Sequence, residues 1–257
     1  MLEEKLYESD INYNEHRYSR QIIVPGVGIK NQIKLRNSKI VIIGMGGLGC
    51  PVLMYLANTG ILEIGIIDFD KVEITNLQRQ VLHKNEGDSK VESAAKFISE
   101  MNPHVKIIKY NIKLTENNIN FLKDYDIVID CCDSIRLRYC INDFCVVNKI
   151  NLVSGSVLKW EGQVFVLPLK YSSDEIFCYR CMFPQEKSNA CSCETSGVIG
   201  SMCGVIGSLQ ATEVYKMIIN DPKKSYSLFY KGTNNSFTKI SQIKVNKCKI
   251  CKQINQK

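Results

Sequence analysis

The sequence of 257 residues lacks any long apolar run, and none approaches the roughly 20 residues that a helix needs to span a bilayer. The first residues are acidic and polar, which argues against a signal peptide. There is no internal repeat and no low-complexity linker. From these absences we expect a cytoplasmic globular protein with no membrane partner.

The charge pattern argues against another class of protein. The formal net charge is +7, but the lysines are scattered rather than gathered in a basic run with interleaved aromatics. Nucleic-acid binding is therefore not expected. A solvated surface accounts for the charge, and a docking face for an acidic protein partner is the alternative.

The twelve cysteines are the unusual part of the composition. In a cytoplasmic chain they indicate metal binding or catalysis rather than disulfides. Cys178 with Cys181, and Cys248 with Cys251, form two Cys-x-x-Cys pairs. Four such thiolates select Zn²⁺ in a closed structural site, with free thiols or disulfides as the alternative. For most other cysteines we expect a packing role: Cys50, Cys131, Cys132, Cys140, Cys145 and Cys203.

The hydrophobic pattern predicts an α/β fold of the Rossmann-like, doubly wound type. Apolar runs typical of buried parallel strands (39–43, 62–67, 105–110 and 127–129) alternate with helical patterns (47–58, 90–101 and 119–123). Such alternation implies right-handed βαβ units around a mostly parallel sheet. After residue 150 we expect an antiparallel extension of that sheet, a Cys-rich loop over 178–196, a helix over 203–219 and a hairpin over 226–245.

A glycine-rich loop follows the first predicted strand. Gly44, Gly46 and Gly49 fit Gly-x-Gly-x-x-Gly between a strand and a helix, with Gly47 inside the motif. The motif gives a tight turn, close backbone approach to phosphates and a helix N-terminus that faces the anion. Asp68 ends the next predicted strand, where a carboxylate can bond a ribose hydroxyl. These features do not separate NAD from ATP, and a tight turn without a ligand is the alternative.

Cations beyond the loop favour nucleotidyl transfer over hydride transfer. Asp70 is followed by Asn76, Gln78 and Arg79, and Lys90 opens a predicted helix. Nucleotidyl transfer needs charge stabilisation on phosphate oxygens, which Arg79 can give through two nitrogens and Lys90 as a point charge. Each alone is explained as a surface charge, but together they indicate an ATP site.

An acidic pair follows the fourth predicted strand, in Asp130-Cys-Cys-Asp133. Carboxylates at this edge of an open α/β sheet lie where ligands bind. Asp133 is a candidate to hold Mg²⁺ between phosphate oxygens. The alternative, which is compatible with the first, is that Asp133 caps the helix that begins at Ile135.

These motifs, in this order, resemble the MoeB/ThiF family, which includes eukaryotic activators of sulfur-carrier, ubiquitin-like proteins. The resemblance covers about residues 16–252 and is carried by 16–21, 44–49, 68–70, 76–80, 90–93, 102–103, 130–133, 161–163, 204–211 and the two cysteine pairs. It implies a polar extension over 1–15, one domain over 16–252 and a tail over 253–257. Within that domain, 16–150 would bind the nucleotide, and 151–252 would bind the carrier and carry the zinc site.

The family adenylates the C-terminal glycine carboxylate of a small ubiquitin-fold protein and releases pyrophosphate. The resemblance implies that Asp133 holds Mg²⁺ and that Arg20 reaches the phosphates of a neighbouring subunit in a homodimer. Cys193 matches a reactive cysteine that takes the carrier into a thioester or acyl-disulfide in some relatives, and a loop thiol without a catalytic role is the alternative. The expected ATP ligands are Gly47, Asp68, Asn76, Arg79 and Lys90.

The sequence departs from the family pattern in three places. The stretch from His83 to Lys90 is shorter than in typical bacterial members, and Ser134 replaces a common asparagine that could reach the nucleotide. The sequence ends soon after Cys251, without room for a rhodanese domain, so a separate protein is expected to donate any sulfur. The three histidines (His16, His83 and His104) are too dispersed to form a ligand set.

Three alternative functions are weighed against this one. An NAD-dependent oxidoreductase would account for the glycine loop and Asp68. It would not account for the combination of the cysteine pairs with three cations, Arg20, Arg79 and Lys90. Adenylation of a small molecule or a tRNA base would retain the fold and ATP, but relatives of that type generally lack the cysteines. A non-catalytic scaffold would not need the set of phosphate-binding residues.

Overall fold

The computed structural model describes residues 16–170, 177–184, 197–220, 222–241 and 248–251. These residues form one eight-stranded sheet in the order β3-β2-β1-β4-β5-β6-β7-β8. The strands are β1 (Lys39–Ile43), β2 (Glu63–Ile67), β3 (Lys106–Tyr110), β4 (Ile127–Asp130), β5 (Asn151–Leu158), β6 (Glu161–Leu167), β7 (Tyr226–Lys231) and β8 (Ser236–Ile240).

Helices flank the sheet on both faces. They are α1 (residues 16–22), α2 (Gly28–Asn37), α3 (Gly49–Leu56), α4 (Lys90–Met101), α5 (Ile135–Asn148), the single turn α6 (Tyr179–Met182) and α7 (Gly200–Asn220). Short 3-10 segments lie at Ile74–Asn76 and Ile119–Asp124. The buried side chains of α3, α4 and α7 share one core cluster, whereas those of α5 belong to the cluster on the opposite face. The fold is therefore doubly wound.

The sheet changes character at β5, as the sequence predicts. Strands β3, β2, β1, β4 and β5 pair in parallel. The pairs from β5 through β8 are antiparallel. The last four residues of β1 are buried and all apolar, which is typical of a strand covered by helices on both faces. The prediction of a mostly parallel sheet with an antiparallel C-terminal extension is confirmed.

Two predictions about local structure need correction. Residues 178–196 are not loop throughout, because Tyr179–Met182 forms a helical turn in which the amide of Cys181 donates to the carbonyl of Cys178 at 2.9 Å. The helix predicted over 203–219 begins earlier, at Gly200. The hairpin is confirmed where the chain is described, with Asn235 in a left-handed conformation in its turn. None of the described helices has the length and apolar character that a membrane span requires.

Candidate nucleotide site and metal centre

The predicted nucleotide residues follow three strands that lie side by side. The glycine loop follows β1, Asp68 and Asp70 follow β2, and Asp130 to Asp133 follow β4. The chain runs from β1 to β2 on one side and from the adjacent β4 to β5 on the other, so the connections leave these two neighbouring strands in opposite directions. Ligands in open α/β sheets bind in the crevice at such a switch point.

The glycine loop needs its glycines because other chain segments approach it closely. Gly44 has a φ of 94°, and a Cβ there would lie 2.9 Å from the carbonyl oxygen of Cys131. A Cβ on Gly49 would collide with the carbonyl oxygen of Gly44. The close packing of β1, the β4 loop and the start of α3 therefore fixes the path of this turn.

Asp68 joins the loops that follow β1 and β2. Its buried carboxylate accepts hydrogen bonds from the amide of Met45 at 2.7 Å and from the amide of Asp70 at 2.8 Å. Burial raises the pKa of Asp68, and the nearby positive charge of Lys90 opposes that shift. Asp68, which directly follows β2, thus holds the glycine loop through a hydrogen bond to its backbone.

Lys90 is the first residue of α4, and its ammonium lies 2.9 Å from the carboxylate of Asp70. The Lys90 side chain is 9% exposed, against 46% for the Asp70 side chain. The pair therefore presents a buried cation held by a more accessible carboxylate, beside the crevice.

The segment from Asn76 to Gln80 brings Arg79 to the glycine loop. The side-chain oxygen of Asn76 accepts from the amide of Glu73 at 3.3 Å and so closes the short 3-10 turn. Arg79 donates to the carbonyl of Thr75 at 2.8 Å. A Cβ on Gly47 would lie 3.5 Å from the Cγ of Arg79, so the arginine borders the loop. Gln78 is exposed, and its carbonyl packs against the start of α7.

The loop after β4 contains a fully buried charge and an exposed one. Asp130 accepts from the hydroxyl of Ser154 at 2.6 Å and lies 3.4 Å from the guanidinium nitrogen of Arg138. Arg138 also donates to the carbonyl of Cys132 at 2.6 Å. Burial disfavours the charged guanidinium, but the carboxylate of Asp130 holds the pKa of Arg138 above its ordinary value.

Asp133 is exposed at this edge of the sheet. It does not cap α5: the N-cap is Ser134, whose hydroxyl accepts from the amide of Leu137 at 3.3 Å. The alternative that assigned the cap to Asp133 is therefore wrong, because the helix begins one residue later than that role requires. The cap also gives Ser134 a structural function besides any contact with a nucleotide.

Of the other predicted catalytic residues, Arg20 lies away from the crevice. Arg20 is exposed on α1, which is anchored by Gln21 through a hydrogen bond to the carbonyl of Thr59 at 2.7 Å. Thr59 precedes β2, so α1 is anchored near the amino edge of the sheet, opposite the crevice. Cys193 lies outside the described residues.

The four cysteines of the two Cys-x-x-Cys pairs converge on one point. Their sulfur atoms all lie within 4.8 Å of one another. Individual separations are 3.9 Å for Cys178–Cys181, 3.8 Å for Cys178–Cys248 and 3.5 Å for Cys181–Cys251. Zn–S bonds of about 2.3 Å at tetrahedral angles place sulfurs about 3.8 Å apart, whereas a disulfide joins them at about 2.0 Å. The donor set and its spacing fit a tetrahedral metal ion.

The surroundings of this cluster tie it to α5. The buried side chain of Asn142 accepts from the amide of Tyr179 at 2.8 Å, next to Cys178. Arg180 pairs with Asp143 at 2.7 Å. Hydrogen bonds among the thiols lower the pKa of Cys178 and raise the pKa of Cys181 and Cys251, so these thiols share their protons as one group. The cluster is therefore built into the face of the sheet that α5 covers.

Sequence reasoning missed three residues that organise the crevice. His83 bonds the backbone of the glycine loop, with its Nε2 2.8 Å from the carbonyl oxygen of Met45. Arg138 neutralises Asp130. Gln210 reaches from α7 to donate to the carbonyl of Asp130 at 3.0 Å. Two of them had a sequence signal: His83 comes just after the Asn76–Gln80 motif, and Gln210 lies within the 204–211 motif. The cysteines expected to pack are buried, apart from half-buried Cys140.

The order of strands and the crevice at their carboxyl edge define a doubly wound α/β protein of the Rossmann type. The sequence matches the model of the ThiF family over residues 18–253, and the chain belongs to that family. The resemblance inferred from the motifs is confirmed.

Curated relatives match most of this chain. The adenylyltransferase and sulfurtransferase MOCS3 of Dictyostelium discoideum is 42% identical over 260 residues, which cover 97% of this chain and 60% of that protein. The adenylyltransferase and sulfurtransferase UBA4 of Scheffersomyces stipitis is 41% identical over 247 residues, which cover 91% of this chain and 55% of that protein. The chain thus spans somewhat more than half the length of these relatives.

Solved structures share the fold. The crystal structure of E. coli MccB with ATP has a TM-score of 0.76 and 23% identity, covering 91% of this chain and 73% of that one. The microcin C7 biosynthetic enzyme MccB in complex with N-formylated MccA has a TM-score of 0.78 and 23% identity, covering 93% of this chain and 76% of that one.

Proposed function

We propose that this chain adenylates the C-terminal glycine carboxylate of a small ubiquitin-like or sulfur-carrier protein with ATP and releases pyrophosphate. The observation that carries the proposal is the position of Arg79 beside Gly47 of the glycine loop. Asp68 holds this loop by a hydrogen bond, and Lys90 lies near Asp68. Both named relatives are adenylyltransferases and sulfurtransferases. The MccB structures include one with ATP and one with N-formylated MccA.

Each residue group has a separate task in this proposal. The glycine loop and the N-terminus of α3 bind phosphate oxygens, and Asp68 accepts a ribose hydroxyl. Arg79 and Lys90 neutralise charge on the α-phosphate and on the departing pyrophosphate. The remaining polar side chains that line the nucleotide in this proposal are those of Asp70, Asn76, Gln78 and Ser134. Asp133 would hold Mg²⁺, which when bound neutralises phosphate charge.

The reaction needs positioning more than acid–base chemistry. A carboxylate oxygen of the carrier attacks the α-phosphorus of ATP, the bond to the bridging oxygen of pyrophosphate breaks, and an acyl-adenylate forms. The carboxylate is already ionised at neutral pH, so no general base is required. Fixed cations and in-line placement supply the acceleration.

The remaining assignments belong to the same proposal. Arg20 would complete the site of a neighbouring subunit in a homodimer, and the Cys₄ cluster would hold a structural Zn²⁺. Residues 16–150 would bind the nucleotide and 151–252 the carrier. A cytoplasmic location belongs to the same proposal, since four of the described cysteines converge in a metal-type cluster, which is typical of a reducing compartment.

The test is carrier-dependent exchange between ATP and pyrophosphate, run with each candidate carrier from the same organism. Arg79→Ala and Asp133→Ala should abolish exchange. Lys106→Ala is the matched control, since its side chain is 69% exposed at the amino end of β3, on the edge away from the crevice. Wild-type exchange rates in both site variants would refute the assignment.

Mass analysis of the carrier after the reaction tests the role of Cys193. If this residue takes the carrier onward, Cys193→Ser should form the adenylate at the normal rate but give no thioester, acyl-disulfide or thiocarboxylate. Unchanged sulfur transfer in Cys193→Ser would show that it is a loop thiol without a catalytic role.

A further inference from the structure

His83 holds the backbone of the glycine loop from inside the protein. His83 follows the Asn76–Gln80 segment in the chain, is 6% exposed, and places Nε2 2.8 Å from the carbonyl oxygen of Met45. The amide of the same Met45 donates to Asp68 at 2.7 Å. Both polar backbone groups of one loop residue are thus fixed by buried side chains.

The contacts of His83 define its proton. A carbonyl oxygen only accepts hydrogen bonds, so Nε2 must carry a hydrogen. Nδ1 lies 3.1 Å from the hydroxyl of Ser93, which can donate to it. The neutral tautomer with hydrogen on Nε2 therefore satisfies both partners. The thiol of Cys50, 3.6 Å from the Met45 carbonyl, is a weaker second donor.

Peptide geometry carries this contact to the crevice. A trans peptide is planar, so the carbonyl of Met45 and the amide of Gly46 point in opposite directions. Fixing the carbonyl on His83 therefore aims the Gly46 amide away from the buried histidine. The next peptide is oriented differently, because the carbonyl of Gly46 accepts from the amide of Cys50 in the first turn of α3, at 3.0 Å. The Met45–Gly46 peptide lies outside the helix, and His83 supplies its anchor.

We propose that His83 is a positioning residue for nucleotide binding, which orients the Met45–Gly46 peptide so that the Gly46 amide faces the phosphates of ATP. The role rests on the proposed function, since it requires that the loop bind ATP. His83 does not touch the nucleotide itself; it acts through the backbone. The chemical requirement is one hydrogen-bond donor at the position of Nε2.

The test compares ATP binding, measured by calorimetry without any carrier, across four variants. His83→Gln can place an amide donor near the position of Nε2, whereas His83→Asn reaches only the position of Nδ1 and His83→Phe has no donor. We expect His83→Phe and His83→Asn to weaken ATP binding about tenfold, and His83→Gln to stay within about threefold of the wild type. Ser93→Ala, which removes only the Nδ1 partner, should change binding less than His83→Asn.

Melting temperatures of the same variants separate positioning from stability. If His83→Phe has a lower melting temperature but binds ATP as tightly as the wild type, His83 has only a structural role and the proposal is overturned. The proposal is also overturned if His83→Gln binds ATP as weakly as His83→Phe, because the hydrogen-bond donor would then not be the feature that matters.

A second measurement needs no nucleotide. The amide of Met45 donates to Asp68, and its hydrogen exchange, followed by NMR in the free protein, should accelerate in His83→Phe and remain near wild type in His83→Gln. If amide hydrogen exchange is unchanged in His83→Phe, His83 does not fix the glycine loop and the proposal is overturned. A wild-type protein that fails to bind ATP would instead refute the proposed function, while the exchange rates would still decide whether His83 fixes this peptide.

Discussion

Lys90 and Asp70 are bound to each other twice: the ammonium of Lys90 lies 2.9 Å from the carboxylate of Asp70, and the amide of Lys90 donates to the carbonyl of Asp70 at 3.1 Å. The backbone contact fixes the start of α4 against the loop after β2. The side-chain contact then holds a buried cation beside the crevice. A lysine held in this way needs little reorganisation to neutralise an arriving phosphate.

Replacement of Lys90 by alanine should reduce ATP–pyrophosphate exchange by about 100-fold or more, because a preorganised positive charge would be lost. Lys90→Arg should not restore the rate, since a planar guanidinium does not fit the place of a compact ammonium. The control is Lys109→Ala, which removes an exposed lysine of β3 that pairs with Glu92 of α4. We expect the control to exchange within about twofold of the wild type. Normal exchange in Lys90→Ala would contradict the role given to this cation.

Replacement of Arg138 should test the buried ion pair behind the crevice. Arg138→Leu leaves the carboxylate of Asp130 buried without its countercharge, which costs about 3–5 kcal/mol and lowers the melting temperature by roughly 10 °C. Adding Asp130→Asn should recover part of this loss, because the unpaired charge disappears. Chemical denaturation measures both effects.

The matched control for that experiment is two residues away on the same helix. The side chain of Arg136 is 88% exposed, and its contact with Glu116 is 3.7 Å long. Arg136→Ala should change the unfolding free energy by no more than about 0.5 kcal/mol. Equal losses for Arg136→Ala and Arg138→Leu would show that burial does not strengthen the inner pair.

The pH dependence of stability should reveal the burial of His83. Burial lowers the pKa of His83 in the folded protein, whereas the unfolded value is about 6.5. As the pH falls below that value, the unfolded chain binds a proton that the folded chain does not, so stability is lost until the folded pKa is reached. The neighbouring charges act in both directions, with Lys90 opposing protonation and Asp68 and Asp88 favouring it.

His83→Gln lacks this titration. The melting temperature of the wild type minus that of His83→Gln should therefore shrink between about pH 7.5 and about pH 5.5. A difference that stays constant over this range would mean that His83 titrates alike in the folded and unfolded chains.

Removal of the metal site should lower stability more than it affects the nucleotide crevice. Metal analysis should find one Zn²⁺ per chain in the wild type and none in Cys248→Ser. A cross-link of this kind contributes about 3 kcal/mol or more, so we expect the melting temperature of Cys248→Ser to fall by roughly 10 °C. Cys140→Ser is the control, because this half-buried cysteine lies outside the cluster. Unchanged melting after verified loss of metal would argue against a structural role.

Local patterns predicted the elements well. The bounds of β1 and α4 are the predicted ones, since a continuous apolar run and a helical repeat each identify their element without help from distant residues. Helix α2 was not predicted, because its sequence is mostly polar and buries only Gln32 and Leu35. The start of α3 was placed two residues early, inside the glycine loop.

Four of the predicted site residues lie near the ends of neighbouring strands, but their supports were not predictable. Asp68, Asp70, Lys90 and Arg79 converge because parallel strands bring their carboxyl ends to one edge. The contacts from His83 to Met45 and from Gln210 to Asp130 join residues 38 and 80 positions apart. Spacing in a single sequence does not encode such pairs, because they depend on how helices pack across the finished sheet.

The two cysteine pairs stand 70 residues apart in the chain. During synthesis the first pair therefore emerges as a two-thiol ligand, and its partners follow only after α7 and the β7–β8 hairpin have been made. All four cysteines can contact one ion only after the antiparallel half of the sheet has folded and placed Cys248 and Cys251 next to α6. Capture of the proposed metal ion would thus be a late step of folding, and a bound ion would mark a molecule in which both halves have assembled.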